Sequence, residues 1–183
     1  RQRWAFETGG KVGTPKVVGD TVFIGSEDNN IYAVDTETGK QKWNFETIAP
    51  PASSPPTVVN DTVLIGTFPD DLENDLDKRL YAVDAETGDQ KWEISTNDSI
   101  GSVEVFEETV IYAEQNFVRA RNIATGDYKW SLQTDGRVCA PTLSNGTVFA
   151  GSRDAYLYAV EANSGEFLWR FRTDDIVNSA TVA

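Results

Sequence analysis

Short apolar runs separated by polar turns punctuate the whole chain. The most regular are β-branched and aromatic: Thr21-Val-Phe-Ile24, Thr62-Val-Leu-Ile65, Thr109-Val-Ile-Tyr112 and Thr147-Val-Phe-Ala150. Each is entered through a tight turn (Gly19-Asp20, Asn60-Asp61, Glu107-Glu108, Asn145-Gly146) that follows a run such as Thr14-Pro-Lys-Val-Val18. A polar loop leads on to a third run, Ile31-Tyr-Ala-Val34, Leu80-Tyr-Ala-Val83, Phe117-Val-Arg-Ala120 or Leu157-Tyr-Ala-Val160, and a glycine turn returns the chain to a fourth run containing tryptophan. Four β-type runs per unit, bounded by Gly, Asn, Asp and Pro, predict an antiparallel four-stranded meander. No long window carries an apolar stripe at helical spacing without a turn signal inside it, which excludes helical repeats.

The period is set by the tryptophans, Trp4, Trp43, Trp92, Trp130 and Trp169, the only five in the chain. A unit of about 39 residues recurs, with one expansion, and a threonine follows each tryptophan by four: Thr8, Thr47, Thr96, Thr134 and Thr173. The repeats run approximately 4–42, 43–91, 92–129, 130–168 and 169–183 within one domain, 1–183. Four-stranded units of this length in series predict an all-β fold, a β-propeller whose blades carry strands A (innermost) to D (outermost). Complete blades are expected at roughly 14–47, 55–95, 101–133 and 138–172.

One phrase precedes four of the tryptophans. It reads Ala33-Val-Asp35-Thr-Glu-Thr-Gly39-Lys-Gln-Lys-Trp43, and is matched by Ala82, Asp84, Gly88 and Trp92, by Ala120, Gly126 and Trp130, and by Ala159, Gly165 and Trp169. Asp35 and Asp84 can accept hydrogen bonds from backbone N–H groups in the C-to-D turn, and the glycine supplies the positive φ of a bulged hairpin. Alanine leaves room for a ring to approach. The ring is expected to cover that turn and a neighbouring blade; burying roughly 150–250 Å² is worth about 4–6 kcal/mol as an upper bound.

On these residues the chain resembles the PQQ-type propeller repeat, whose tryptophan-docking motif has alanine, an acidic residue, Thr-Gly and tryptophan at this spacing. The resemblance covers essentially the whole chain and implies the fold. It implies little chemistry, because the family includes quinoprotein dehydrogenases, BamB-type assembly lipoproteins and many non-catalytic propellers. The third blade departs from the motif, with Asn122 for aspartate and Arg119 for tyrosine, so its turn is expected to be weaker.

The first tryptophan run reads as a D strand without its own A, B and C strands, and Asn178–Ala183 as an A strand without the rest of its blade. The expectation is a partial propeller: a piece of one with seven or eight blades, or a chain whose second copy completes the ring through open strand edges.

Charge narrows the partners. With 29 acidic against 16 basic residues and a net charge of −13, the chain would repel nucleic acid and anionic membranes. The acidic excess suggests a halophilic, archaeal source, where molar salt screens self-repulsion. No apolar run is long enough to insert into a membrane. Three sequons, Asn60-Asp-Thr62, Asn97-Asp-Ser99 and Asn145-Gly-Thr147, suit a secreted or cell-surface protein and are equally the composition of ordinary turns.

The inventory argues against catalysis. The absence of histidine removes Ser-His-Asp and Cys-His systems and the common zinc and iron ligand sets. Cys139, expected in the fourth A strand, reads as a small core residue. The resemblance implies PQQ only beside an adjacent-cysteine disulfide and a calcium site; one cysteine cannot supply that pair, so no cofactor is expected.

The second blade is irregular, with an acidic segment, Thr67–Lys78, between strands B and C, and extra residues around Ile48-Ala-Pro-Pro51. Both insertions, with Asp98, Asp135, Asp174 and Asp175, are expected on the rim formed by B-to-C and D-to-A loops. Asp71, Glu73, Asp75 and Asp77 alternate as calcium ligands do, yet lack the glycine and closing glutamate of an EF-hand loop. The reading is therefore a non-catalytic interaction or scaffolding propeller, extracellular or surface-attached, with a protein partner on that rim. The alternative is a fragment of a PQQ-dependent dehydrogenase whose cofactor site lies outside this segment.

Overall fold

The structure, a computed structural model, describes residues 3–51, 54–68 and 78–178. Those residues form sixteen strands and no helix. The first compact unit, Arg1–Ser102, contains two sheets. One is β1 (Lys16–Val18), β2 (Thr21–Ser26), β3 (Asn30–Asp35) and β4 (Gln41–Glu46); the other is β5 (Thr57–Val59), β6 (Thr62–Gly66), β7 (Arg79–Asp84) and β8 (Gln90–Ser95). The second unit, Val103–Ala183, contains β9 (Glu104–Phe106), β10 (Thr109–Glu114), β11 (Phe117–Asn122) and β12 (Tyr128–Gln133), then β13 (Thr142–Ser144), β14 (Thr147–Gly151), β15 (Tyr156–Glu161) and β16 (Phe167–Arg172). Every sheet keeps its strands in sequence order, as the meander pattern requires.

Local chemistry explains the turns. Asn60 and Asp61 have φ of 47° and 57°, and Asn145 and Gly146 have 48° and 74°, the left-handed pair that a two-residue hairpin turn needs. At the C-to-D turns the ladder slips by one residue after Ala33, Ala82, Ala120 and Ala159. Asp35 Oδ1 accepts the Glu37 and Thr38 N–H groups at 3.2 and 2.7 Å, and Asp84 accepts those of Glu86 and Thr87, both at 3.0 Å. Asn122 does the same for Ala124 and Thr125 at 2.9 and 3.1 Å. The third turn thus makes the same two bonds, with a neutral amide oxygen as acceptor where the others have a charged one.

The docking motif needs a correction of direction. Ala33 pairs with Trp43 across its own sheet, but the Trp43 ring lies over Gly88 of the next sheet, and its Nε1 donates to Ala85 O at 3.0 Å. Trp4 covers Gly39 and donates to Thr36 O at 2.9 Å; Trp130 covers Gly165 and donates to Ala162 O at 3.0 Å. Each of these three rings covers the turn of the following sheet, not its own, because side chains stand perpendicular to the sheet and so meet the neighbouring one. Trp43, Phe23, Ile65, Tyr81 and Val83 share one core between the first two sheets. Trp92 is buried, whereas Trp169 is 43% exposed and covers no turn among the described residues.

The first segment, with Trp4 in the docking position, belongs to no named strand, and residues 179–183 lie outside the described residues. Cys139 precedes β13 instead of lying within it: the residue is half-buried and its N–H donates to Gly151 O at 2.9 Å.

Candidate functional site

The B-to-C and D-to-A loops of each unit are fastened by side chains that repeat. The threonine four residues after tryptophan is a loop clamp. Thr47 Oγ1 lies between Ala49 O and Asn29 O at 2.8 and 2.9 Å, with one hydroxyl hydrogen to share, and Thr134 Oγ1 contacts Gly136 O and Asn116 O at 2.6 and 3.1 Å. A second clamp escaped the sequence reading. Asp28 Oδ2 accepts the Gly9 N–H at 2.6 Å and the Tyr32 hydroxyl at 3.0 Å; Asp154 Oδ2 accepts the Asp135 N–H at 3.1 Å and the Tyr158 hydroxyl at 2.8 Å. The signal was available as Ser26-x-Asp28-x-x-Ile-Tyr32 repeated at Ser152-x-Asp154-x-x-Leu-Tyr158. In the second sheet the Tyr81 hydroxyl itself accepts the Ile48 N–H at 3.2 Å.

These clamps respond to pH. Partial burial opposes ionisation of Asp28 and Asp154, but the donated hydrogen bonds outweigh it and hold both below the ordinary 3.8. A carboxylate depressed in the folded state stabilises above the unfolded value and loses that contribution as pH falls below it. Burial, with the bond to Asp154, pushes Tyr158 up to about 12 from 10.0, so its contribution is complete below pH 10 and is lost as pH rises towards 12. Stability should therefore fall at both extremes. In Asp154→Asn the acid and alkaline slopes of unfolding free energy, measured by urea titration, should both flatten; unchanged slopes would remove the clamp from the account.

In the first unit the rim has relief. A cavity of about 170 Å³ lies among Lys11, Val12, Gly25, Pro51 and Phe68. The extra residues around Ile48-Ala-Pro-Pro51 form one side: Phe68 N–H donates to Pro50 O at 2.8 Å, and Pro51 pairs with Thr67. Val12, Ile48 and Phe68 are exposed. Asp71, Glu73, Asp75 and Asp77, the calcium candidates, lie outside the described residues. The rim aspartates have structural duties: Asp98 Oδ1 accepts the Ser99 N–H at 3.0 Å, and Asp175 Oδ1 the Ile176 N–H at 2.7 Å.

The lysine just before tryptophan was also missed. Lys42 Nζ reaches Asp20 at 2.8 Å and Thr21 Oγ1 at 2.7 Å, while Lys91 Nζ reaches Asp84 at 3.2 Å and Asp61 O at 2.7 Å. On the opposite side from the rim, these lysines join the A-to-B turn to strand D.

The PQQ_2 family model, described as outer membrane protein assembly factor BamB, matches residues 1–104, 52–145 and 117–183. The chain belongs to this family. The overlapping matches follow the internal repeat. No curated protein matches the chain significantly. Among solved structures, BamB from Moraxella catarrhalis is similar at 19% identity and a TM-score of 0.68, with 100% of this chain and 56% of that one covered. The computationally designed Ika8 protein is similar at 15% identity and a TM-score of 0.78, covering 97% and 55%. A europium-containing methanol dehydrogenase is similar at 15% identity and a TM-score of 0.73, covering 94% and 44%. This BamB-family chain thus spans about half the length of these structures, and its four sheets are the blades of a partial β-propeller.

The residues present do not fit the quinone cofactor that the dehydrogenase branch implies. Cys139 has no second cysteine beside it, and no group of three or more Asp, Glu or Cys side chains among the described residues is placed to hold a metal ion.

Proposed function

We propose that this chain is a non-catalytic interaction module that recruits a protein partner through the loop rim of its first unit. The observation that carries the reading is a clamped loop framework presenting the exposed side chains of Val12 and Phe68 around a shallow cavity, with exposed Ile48 on the same loop as its Pro50 and Pro51 wall. A rigid ring with binding loops is how such scaffolds bind without reshaping, and membership of a family described by an outer-membrane assembly factor supports a protein partner. The proposal places the chain outside the cell or at its surface. The acidic excess supports salt-rich surroundings, in which close-set carboxylates repel weakly.

A photo-crosslinking residue at position 68 should capture a discrete adduct from the envelope fraction of the source organism, at low and at molar salt. The same residue at position 87, in a C-to-D turn on the opposite face, should not. Equal capture at both positions would discard the rim, and a stoichiometric chromophore on adding PQQ and calcium would favour the dehydrogenase reading.

A further inference from the structure

On the face away from the rim, the first unit has a groove of about 480 Å³ between its two sheets, within the size range of ligand pockets. Val18, Phe23, Val58 and Val59 form its apolar wall, and Asp20, Asp61 and Glu86 stand at its mouth.

The second unit shows the corresponding place filled by protein. In the repeat, Phe106 stands where Val18 does, Gly146 where Asp61 does and Asn163 where Glu86 does. The Phe106 ring approaches within 3.2 Å of where a Gly146 Cβ would lie. Asn163 bridges the sheets: its Oδ1 accepts the Thr109 hydroxyl and its Nδ2 donates to Glu107 Oε2, both at 2.8 Å. Ala162 beneath them is 0% exposed.

None of these closures exists in the first unit. Val18 is too short to reach across and is 42% exposed, and Ala85, the counterpart of Ala162, is half-buried. Lys42 meets the Thr21 hydroxyl as Lys129 meets that of Thr109, but Thr21 donates to Asp20 Oδ1 of its own turn at 3.0 Å and not to the second sheet. Asp20 is neutralised by Lys42, whereas the carboxylates of Asp61 and Glu86 have no hydrogen-bond or ion-pair partner among the described residues. An apolar cleft with two uncompensated negative charges at its mouth complements an apolar group that carries positive charge.

We propose that this groove docks a basic–apolar peptide segment. A bulky apolar side chain lies against the valines and Phe23, and a flanking lysine or arginine meets Asp61 and Glu86. The two carboxylates stand on the turns of β5–β6 and β7–β8, so the cationic group is held on the side of the second sheet.

The test uses the full chain and a fluorescein-labelled peptide, Lys-Leu-Phe-Lys-Lys, read by fluorescence anisotropy at low salt. The peptide should bind, and Glu-Leu-Phe-Glu-Glu should bind at least about tenfold more weakly. The double variant Val18→Phe/Glu86→Asn installs the residues that close the second unit's groove; it should melt as the parent does and lose at least about tenfold in affinity. Should it fail to fold, Asp61→Asn/Glu86→Gln keeps the shape and should lose about fivefold together with much of the salt dependence. Phe68→Ala on the rim should change nothing, which separates this site from the proposed partner surface. Absence of binding, equal affinity for both peptides, full affinity in the groove variants, or loss of affinity in Phe68→Ala would overturn the proposal.

Discussion

Replacing Trp43 by alanine is expected to cost about 4 kcal/mol of unfolding free energy, the range for deleting a buried indole. The ring is 7% exposed, packs with Phe23 at a centroid distance of 5.8 Å, and gives its N–H to Ala85 of the following sheet. Its loss opens a cavity between two sheets and leaves a carbonyl without its donor, so both terms act together. The same substitution at Trp169 should cost no more than about 2 kcal/mol, because that ring is 43% exposed and covers no turn among the described residues. Urea unfolding of both variants checks the contrast. Equal losses would mean that the indole stabilises its own sheet and not the next one.

The second large effect belongs to a glycine. Gly88→Ala is expected to destabilise by about 3–4 kcal/mol: φ is +80°, which strains any other residue, and the added methyl group would sit 2.8 Å from Trp43 Cδ2. Gly19 separates the two causes. Its φ is +59° but nothing lies within 4 Å of an added Cβ, so Gly19→Ala should cost about 1 kcal/mol, the conformational part alone. Thermal and urea midpoints of the two variants measure the difference; a difference near zero would mean that the ring does not press on the turn.

The strands were legible because their physics is local. A two-residue turn with left-handed preference and a β-branched run define a hairpin without help from the rest of the chain, which is why Asn60-Asp61 and Asn145-Gly146 were placed correctly. The alanine, glycine and tryptophan register was legible because repetition removes coincidence. The direction of docking was not. Nothing in the spacing of Ala33, Gly39 and Trp43 tells whether a ring covers its own turn or the next one, since that depends on which way the side chain leaves the outermost strand. At Asn122 the turn keeps both acceptor bonds although the charge of the motif's aspartate is absent.

The candidate rim was legible as a place but not as a mechanism. Insertions stand out against a period, so the loops around Pro51 and Phe68 were found. The aspartates at 28 and 154 were passed over because, in a chain with 29 acidic residues, a carboxylate that holds a loop looks like one that merely faces solvent. The groove was invisible in any single repeat. It emerges only when Val18 and Glu86 are set beside Phe106 and Asn163, because openness here is the absence of a bridge that another copy of the same unit possesses.

The forward reach of the indoles has a bearing on biosynthesis. As the polypeptide leaves the ribosome, Trp43 emerges well before residues 85–88, which supply its hydrogen-bond acceptor and its cover. During that interval a large apolar ring is bare on the newest sheet, until the second sheet forms and shields it. A stall between the two is where this protein is most open to capture by chaperones or to mispairing with a neighbouring nascent chain.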